Sequence, residues 1–297
     1  MSVLERLLSP RALLLDGGMG SALIARGLPV GTPPELWNLE RRADVTAVHR
    51  AYVEAGSDAI HTNSFGANPV RLAQFGLGGR CDEINRAAAA LARAAGPRFV
   101  IGDVGPTGEY LPPVGHGDAG VWRSAFEEQG RSLAEAGVDA FHVETMSDLR
   151  EATAALEALR SVAPGIPVFV SMTFDRKKRG FFTVMGNALV PALGALAAAG
   201  AAAVGANCSL TSSDMVALMS EAAAATSTPL VAQPNAGTPE QAGDGSFRYA
   251  QPPEEFAADM AAIARLGVRA VGGCCGTDDR FIAALRSELD RITEAKP

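Results

Sequence analysis

Glu135-Ala136-Gly137-Val138-Asp139-Ala140-Phe141-His142-Val143-Glu144-Thr145 carries the pattern that decides the fold. It reads as the end of an amphipathic helix, a glycine, and an apolar run that closes on polar residues. A glycine just past the last helical turn is a C-cap, and the run after it is strand-like. The junction recurs at Glu54-Ala55-Gly56-Ser57-Asp58-Ala59, at Ala198-Ala199-Gly200-Ala201-Ala202-Ala203 and at Arg265-Leu266-Gly267-Val268-Arg269-Ala270. Working outward, β-rich apolar runs lie at 13–16, 59–63, 99–103, 141–144, 168–171, 203–208, 230–233 and 270–275, so the junctions precede every second strand. Near-continuous apolar strands belong to a parallel sheet covered on both faces. Amphipathic helical stretches fall between them at 45–55, 84–95, 122–136, 149–161, 215–225, 253–266 and 280–292. The expected architecture is α/β: a (β/α)8 TIM barrel, one domain spanning residues 1–297.

Composition sets the outer limits. The chain has 297 residues, 47% hydrophobic and 20% charged, with a formal net charge of -7, which excludes low-complexity disorder and disfavours nucleic-acid binding. Four cysteines are too few for a disulfide scaffold at this length and point to a reducing compartment. Charges and a proline break the N-terminal Met-Ser-Val-Leu-Glu-Arg-Leu-Leu-Ser-Pro, so no signal peptide is read and a cytoplasmic location is expected. The uncharged stretch 188–206 is Ala- and Gly-rich and contains Pro191, and it reads as a buried helix followed by a strand rather than a membrane span.

The repeated glycines also align the strands. Five residues past them stand His61, His142, Gly205 and Gly272, which predicts one interior layer of two large and two small residues. Packed, hydrogen-bonded histidines are favoured there over catalytic ones. Seven and eight residues past them stand Asn63-Ser64, Glu144-Thr145, Asn207-Cys208 and Cys274-Cys275, all at the C-terminal strand ends where barrels build active sites. Cys208, Cys274 and Cys275 therefore converge on one rim, whereas Cys81 stands near a helix start and is expected only to pack.

Adjacent strand residues face opposite ways, so Cys274 and Cys275 share a metal only where the strand has ended; Gly272, Gly273 and Gly276 supply that freedom. Three thiolates suit tetrahedral Zn2+ with one open position. Three inert buried thiols, or a disulfide between the adjacent pair, are the alternatives. A zinc centre with three thiolates carries about one negative charge, which suits holding a nucleophilic substrate thiolate better than making hydroxide. Alkyl transfer to sulfur follows. For an amino-acid acceptor, Glu144 is assigned to the ammonium. The Asp16-Gly17-Gly18-Met19-Gly20 turn is assigned to the carboxylate, as an anion nest of backbone N–H groups. The alternative for Asp16 is a helix cap.

These residues resemble the zinc-dependent homocysteine S-methyltransferases. The matching motifs are Leu-Leu-Asp-Gly-Gly-Met-Gly at 14–20, His-Thr-Asn-Ser-Phe at 61–65, Val-Gly-Pro at 104–106, Glu-Thr at 144–145, Gly-Ala-Asn-Cys at 205–208, Pro-Asn-Ala-Gly at 234–237 and Gly-Gly-Cys-Cys-Gly at 272–276. The resemblance implies that Cys208, Cys274 and Cys275 hold zinc, that the homocysteine sulfur takes the fourth place, and that Glu144 and the Asp16–Met19 turn contact homocysteine. Thr145 and Asn207 are counted with the acceptor side. Asn63, Ser64 and Asn235 are counted as donor-side or metal-proximal.

Members of this family take the methyl group from methylcobalamin on a larger protein, from S-methylmethionine or from betaine. Betaine is the least favoured, because a quaternary ammonium prefers aromatic walls. The betaine branch presents tyrosines where this chain reads Ser64-Phe65-Gly66 and Thr145-Met146, and Tyr52, Tyr110 and Tyr249 are its only tyrosines. With no cobalamin motif and no room expected after the eighth helix, a corrinoid route requires a separate partner protein. Arg176-Lys177-Lys178-Arg179 followed by Gly180-Phe181-Phe182 is read first as a solvated loop and second as a dock for an acidic partner. Trp37 and Trp122 are candidates for either the donor side or the core. Competing functions are methyl transfer to another small thiol or selenol, a non-methylating lyase or aldolase, and an inactive zinc-binding subunit.

Overall fold

A computed structural model describes residues 1–29, 31–241 and 247–294. The eight expected strands form one parallel sheet: β1 (Leu13–Leu14), β2 (Ala59–His61), β3 (Phe99–Val104), β4 (Ala140–Met146), β5 (Val168–Met172), β6 (Ala203–Thr211), β7 (Leu230–Asn235) and β8 (Ala270–Val271). Each is followed by a helix on the outside: α1 (Arg42–Glu54), α2 (Cys81–Ala94), α3 (Ala119–Glu135), α4 (Leu149–Val162), α5 (Leu189–Ala198), α6 (Ser212–Ala225), α7 (Pro253–Arg265) and α8 (Asp279–Glu294). The ladder runs β1-β8-β7-β6-β5-β4-β3-β2. Its seam between β1 and β2 is joined by single bonds: Asp58 N–H donates to Leu14 O at 2.8 Å, and Leu14 N–H donates to Asp58 Oδ2 at 3.0 Å. Further up, His61 N–H donates to Asp16 Oδ2 at 2.8 Å. The (β/α)8 expectation is met.

The four junction glycines cap their helices in the left-handed region, with φ of +102° at Gly56, +81° at Gly137, +95° at Gly200 and +91° at Gly267. Leu13, Leu15, Phe99, Ile101, Phe169 and Val231 fill the interior, and Val3 and Leu7 of the N-terminal helix Val3–Leu7 join the same cluster. A larger apolar layer lies between strands and outer helices, with Trp122, Phe126, Phe141 and Phe256 fully buried. At about 1.5–3 kcal/mol for each fully buried large side chain, these two layers dominate the stability. Among the described residues no helix is long and apolar enough to cross a membrane, and the 188–206 stretch is indeed α5 followed by the start of β6.

Three local readings differ. Strands 1 and 8 are two residues each, because Asp16 onward and Gly272 onward leave the ladder to form the rim. Strand 6 runs on to Thr211 through a register shift against β7 between Asn207 and Thr211. The basic 176–179 segment is solvent-exposed as read, but it is the tip of a hairpin rather than a loop, Asp175–Lys177 against Gly180–Phe182, with Arg176 paired to Asp214 at 2.7 Å and Lys177 to Asp175 at 2.9 Å. Two of its four cations are thus matched by acids, and Phe181 is buried.

Candidate metal and active site

The three rim thiols meet. Cys208 Sγ lies 3.9 Å from Cys275 Sγ, and Cys274 Sγ lies 4.0 Å from Cys275 Sγ. All are free, so no adjacent disulfide forms. Tetrahedral zinc with Zn–S of ~2.3 Å sets its sulfurs ~3.8 Å apart, so the residues present fit that ion. The backbone explains how neighbours aim together: β8 ends at Val271 and Gly276 adopts φ +80°, where an added Cβ would also strike the Tyr249 ring at 2.2 Å. Among themselves the thiols share protons. Hydrogen bonds from Cys274 and Cys275 draw Cys208 down to about 3, while both partners are pushed up.

Cys208 and Ser209 at the end of β6, and Thr145 at the end of β4, are non-glycine residues at φ +60°, +44° and +59°. A β-branched residue there is strained and has to be held. Asn207 does so: its Oδ1 accepts Thr145 N–H and its Nδ2 donates to Thr145 Oγ1, both at 2.7 Å, while Nδ2 also reaches Cys274 Sγ at 3.9 Å. Ser209 Oγ donates to Phe174 O at 2.8 Å. Asn207 thus faces Thr145 and the thiols and does not line the cavity.

The thiols open into a cavity of about 480 Å³, lined also by Asp16–Ser21, residues 31–35, His61–Asn63, Phe65, Asp103, Glu144, Thr145 and Gln233. That volume suits small-molecule ligands. Glu144, largely buried, is raised to about 7 by burial, opposed by His61 and reinforced by the Cys208 and Asp16 charges. Gly17 and Gly18 serve close approach rather than a left-handed turn: a Cβ on Gly17 would lie 2.8 Å from Thr277 O and one on Gly18 2.5 Å from Cys274 O. The Gly18 N–H expected to face a carboxylate donates instead to Thr277 O at 3.0 Å. Met19 lines the cavity beside them.

The two layer histidines are buried and bonded as expected, and they also touch the site. Asp16, His61, His142 and Ser171 form a chain: 2.6 Å from Asp16 Oδ1 to His61 Nδ1, 2.9 Å from His61 Nε2 to His142 Nδ1, 2.7 Å from His142 Nε2 to Ser171 Oγ. His61, His142 and Glu144 are close enough to be considered a second metal set. The 2.9 Å ring-to-ring contact is a hydrogen bond, shorter than the ~3.3 Å between nitrogens on one tetrahedral ion, and it takes up both atoms. Gly205 and Gly272 are small of necessity: a Cβ would come within 1.9 Å of Val231 O and 2.7 Å of Leu15 Cβ.

The donor-side candidates separate. Asn63 lines the cavity, but its Nδ2 donates to Pro34 O at 2.8 Å and Asn38 Oδ1 at 3.0 Å, holding the 33–38 segment. Ser64 is fully buried, with Oγ turned into the wall to Asp103 O at 2.7 Å. Asn235 Oδ1 accepts Cys275 N–H at 3.1 Å and so braces the thiol loop. Trp37 and Trp122 belong to the core, and Cys81 is buried, its Sγ directed to Ala67 O at 3.2 Å. Sequence reasoning missed Glu35, Arg71, Asp103 and Tyr249, which line or flank the site. A signal existed for Asp103 alone, as the polar terminus of strand 3.

Residues 13–289 match the family model described as homocysteine S-methyltransferase. The chain belongs to that family. The methionine synthase of Mycobacterium tuberculosis is 31% identical over 304 residues, covering 96% of this chain and 25% of that protein. That of Mycobacterium leprae is 29% identical, covering 97% and 25%. The chain thus spans about a quarter of the length of these curated relatives. The crystal structure of the homocysteine methyltransferase MmuM from Escherichia coli in its metallated form superposes with a TM-score of 0.77 at 26% identity, covering 93% of this chain and 96% of that one. This family member shares the barrel fold with it.

Proposed function

We propose that residues 1–297 act as one homocysteine-binding barrel that methylates the homocysteine sulfur to give methionine, with Zn2+ held by Cys208, Cys274 and Cys275. The observation that carries this reading is the trio of thiols spaced 3.9 and 4.0 Å apart at the mouth of a cavity that also presents Glu144. Zinc bound there supplies a Lewis acid that keeps the acceptor sulfur deprotonated at neutral pH. The chain's own residues do the rest. Glu144 takes the acceptor's ammonium, the Asp16–Met19 turn bounds its carboxylate end, Asn207 and Thr145 fix the rim, and the enclosing walls limit water. The homocysteine thiolate uses its electron pair to form a bond to the methyl carbon, and the donor's carbon–heteroatom bond breaks with its pair left on the departing atom. From a sulfonium donor the products are methionine and a neutral thioether.

A sulfonium donor or a methyl-corrinoid on a separate protein is favoured over betaine. Four acids line the cavity, which supports a cationic donor, and the corrinoid route rests on the family resemblance. Three adjacent thiols stay reduced in the cytoplasm, the compartment proposed for the enzyme. The test is a panel of S-methylmethionine, dimethylsulfoniopropionate, betaine and methylcobalamin, each with homocysteine and zinc-loaded protein. Methionine formation with about one zinc per chain is expected. Methionine from none of them, or full activity with less than about half an equivalent of zinc, overturns the reading. Cysteine and selenohomocysteine as competing acceptors test the acceptor assignment.

A further inference from the structure

Cys274 and Cys275 are neighbours in one loop, but Cys208 reaches them from β6, so the trio exists only while the turn carrying Cys208 is held. That turn is a bulge. Between Asn207 and Thr211, β6 takes four residues where β7 takes two, from Gln233 to Asn235. Bulges re-aim a side chain, here the Cys208 thiol. This one puts two successive non-glycine residues in the left-handed region, Cys208 at φ +60° and Ser209 at φ +44°. Glycine occupies such positions without strain, yet this chain has serine there. Ser209 is exposed, so packing does not fix it. Its hydroxyl does: Oγ donates at 2.8 Å to the carbonyl of Phe174, a buried residue at the foot of the 175–182 hairpin. One residue earlier, Thr173 Oγ1 donates to Asn207 O at 3.1 Å, and Thr173 N–H is itself tied to Met146 O at 2.9 Å. The two residues after β5 thus grip the chain on both sides of Cys208.

We propose that Ser209 is a positioning residue for the metal centre: its hydroxyl, anchored on Phe174 O, keeps the strained Cys208–Ser209 turn in the form that aims the Cys208 thiol at Cys274 and Cys275. This role rests on the reading of the three thiols as a zinc site. It is separate from that of Asn207, whose side chain braces Thr145 and reaches Cys274 rather than Cys208. The same turn directs the Ser209 N–H to the Cys208 sulfur, a hydrogen bond that favours the thiolate and is lost if the turn relaxes. Side chains at position 209 therefore differ in a definite order. Alanine keeps the backbone strain and loses the anchor, so the turn relaxes toward negative φ and takes the thiol with it. Glycine loses the anchor and the strain together, so the left-handed form stays accessible. Serine pairs the strain with a bond that holds it.

Chelator competition for zinc, together with the absorption spectrum of the cobalt-substituted protein, tests this on wild type, Ser209→Ala and Ser209→Gly. Ser209→Ala should weaken zinc at least about tenfold, the usual cost of losing an outer-shell partner. Ser209→Gly should bind zinc at least about threefold more tightly than Ser209→Ala, because glycine takes up the left-handed form freely. The thiolate-to-cobalt charge-transfer band of Ser209→Ala should fall by about one third, the share of one thiolate in three, as it should in Cys208→Ala. A general loss of stability would not single out that band. Zinc affinity of Ser209→Ala within about twofold of wild type, or equal losses in the two variants, overturns the role. So does weakened zinc with the full charge-transfer band, which places the effect away from Cys208. A wild-type protein with the full band that forms no methionine from any donor would sink the proposed function and leave this role standing. A wild-type protein with no such band would sink both.

Discussion

Asp16 gives both carboxylate oxygens to His61: Oδ1 lies 2.6 Å from the ring Nδ1 and Oδ2 accepts the backbone N–H at 2.8 Å. One residue thereby helps join the seam between β1 and β2 and orients the first ring of the Asp16–His61–His142–Ser171 chain. The two rings divide the protonation between them. Burial pulls His61 down, but the Asp16 charge and hydrogen bond, with Glu144, outweigh it and its pKa is raised. Burial and the neighbouring His61 push His142 well below its ordinary value.

Asp16→Asn should therefore let burial win at His61 and move its titration below about 6.5. In the wild type the raised pKa contributes stability that is full below about pH 6.5 and is lost as pH rises through the folded value. The Tm advantage of wild type over Asp16→Asn should be largest near about pH 6 and shrink toward about pH 9. Histidine ring NMR of both proteins reads the shift directly; an unmoved His61 midpoint would refute the coupling.

Asn207 holds Thr145 in its left-handed conformation with two bonds of 2.7 Å and reaches Cys274 Sγ at 3.9 Å. Asn207→Ala should lower zinc affinity by roughly 10–100-fold, the usual cost of removing an outer-shell partner. Chelator competition measures it. An affinity within twofold of wild type would show that the thiols are placed without Asn207.

Glu144 stands at about 7 through burial first, and pairing with an ammonium needs its carboxylate form. Homocysteine kcat/KM should therefore fall by up to about tenfold per pH unit below that value and level off above it. Glu144→Gln should abolish this limb and raise the homocysteine KM by about 10–100-fold, the loss of a charge-assisted bond. An unchanged limb in the variant would assign the titration elsewhere.

The sequence made the barrel legible because the glycine junctions are local: Gly56, Gly137, Gly200 and Gly267 each cap a helix whatever lies across the core. The thiol trio was legible for the same reason, since equal offsets from those glycines place Cys208 beside Cys274 and Cys275. What could not be read depends on side-chain direction and on partners distant in sequence. Nothing local says that Ser64 turns into the wall toward Asp103 O, that Asn207 faces Thr145, or that Tyr249 of the hairpin Pro239–Gln241 with Phe247–Tyr249 comes against Gly276. Gly17 and Gly18 line the cavity, yet the Gly18 amide is claimed by Thr277, a contact between opposite ends of the chain that nothing local announces.

His49 of α1 gives the last test, because it is fully buried and neither ring nitrogen has a hydrogen-bond partner among the described residues. Burial lowers its pKa to about 4, with Asp16 opposing and His61 adding. The unfolded chain takes up this proton near pH 6.5 and the folded chain does not, so stability is lost as pH falls from about 6.5 toward 4, the opposite sign to His61. From these values the loss between about pH 7 and 5 is about 2 kcal/mol, a fall of several degrees in Tm. His49→Leu removes a titrating group of similar size that makes no hydrogen bond, so it should match or exceed wild-type stability near neutrality and flatten the acid limb. Urea unfolding at the two pH values decides it. A His49→Leu protein as acid-labile as the wild type would place that proton uptake on another residue, with His142, also held low by burial, next in line.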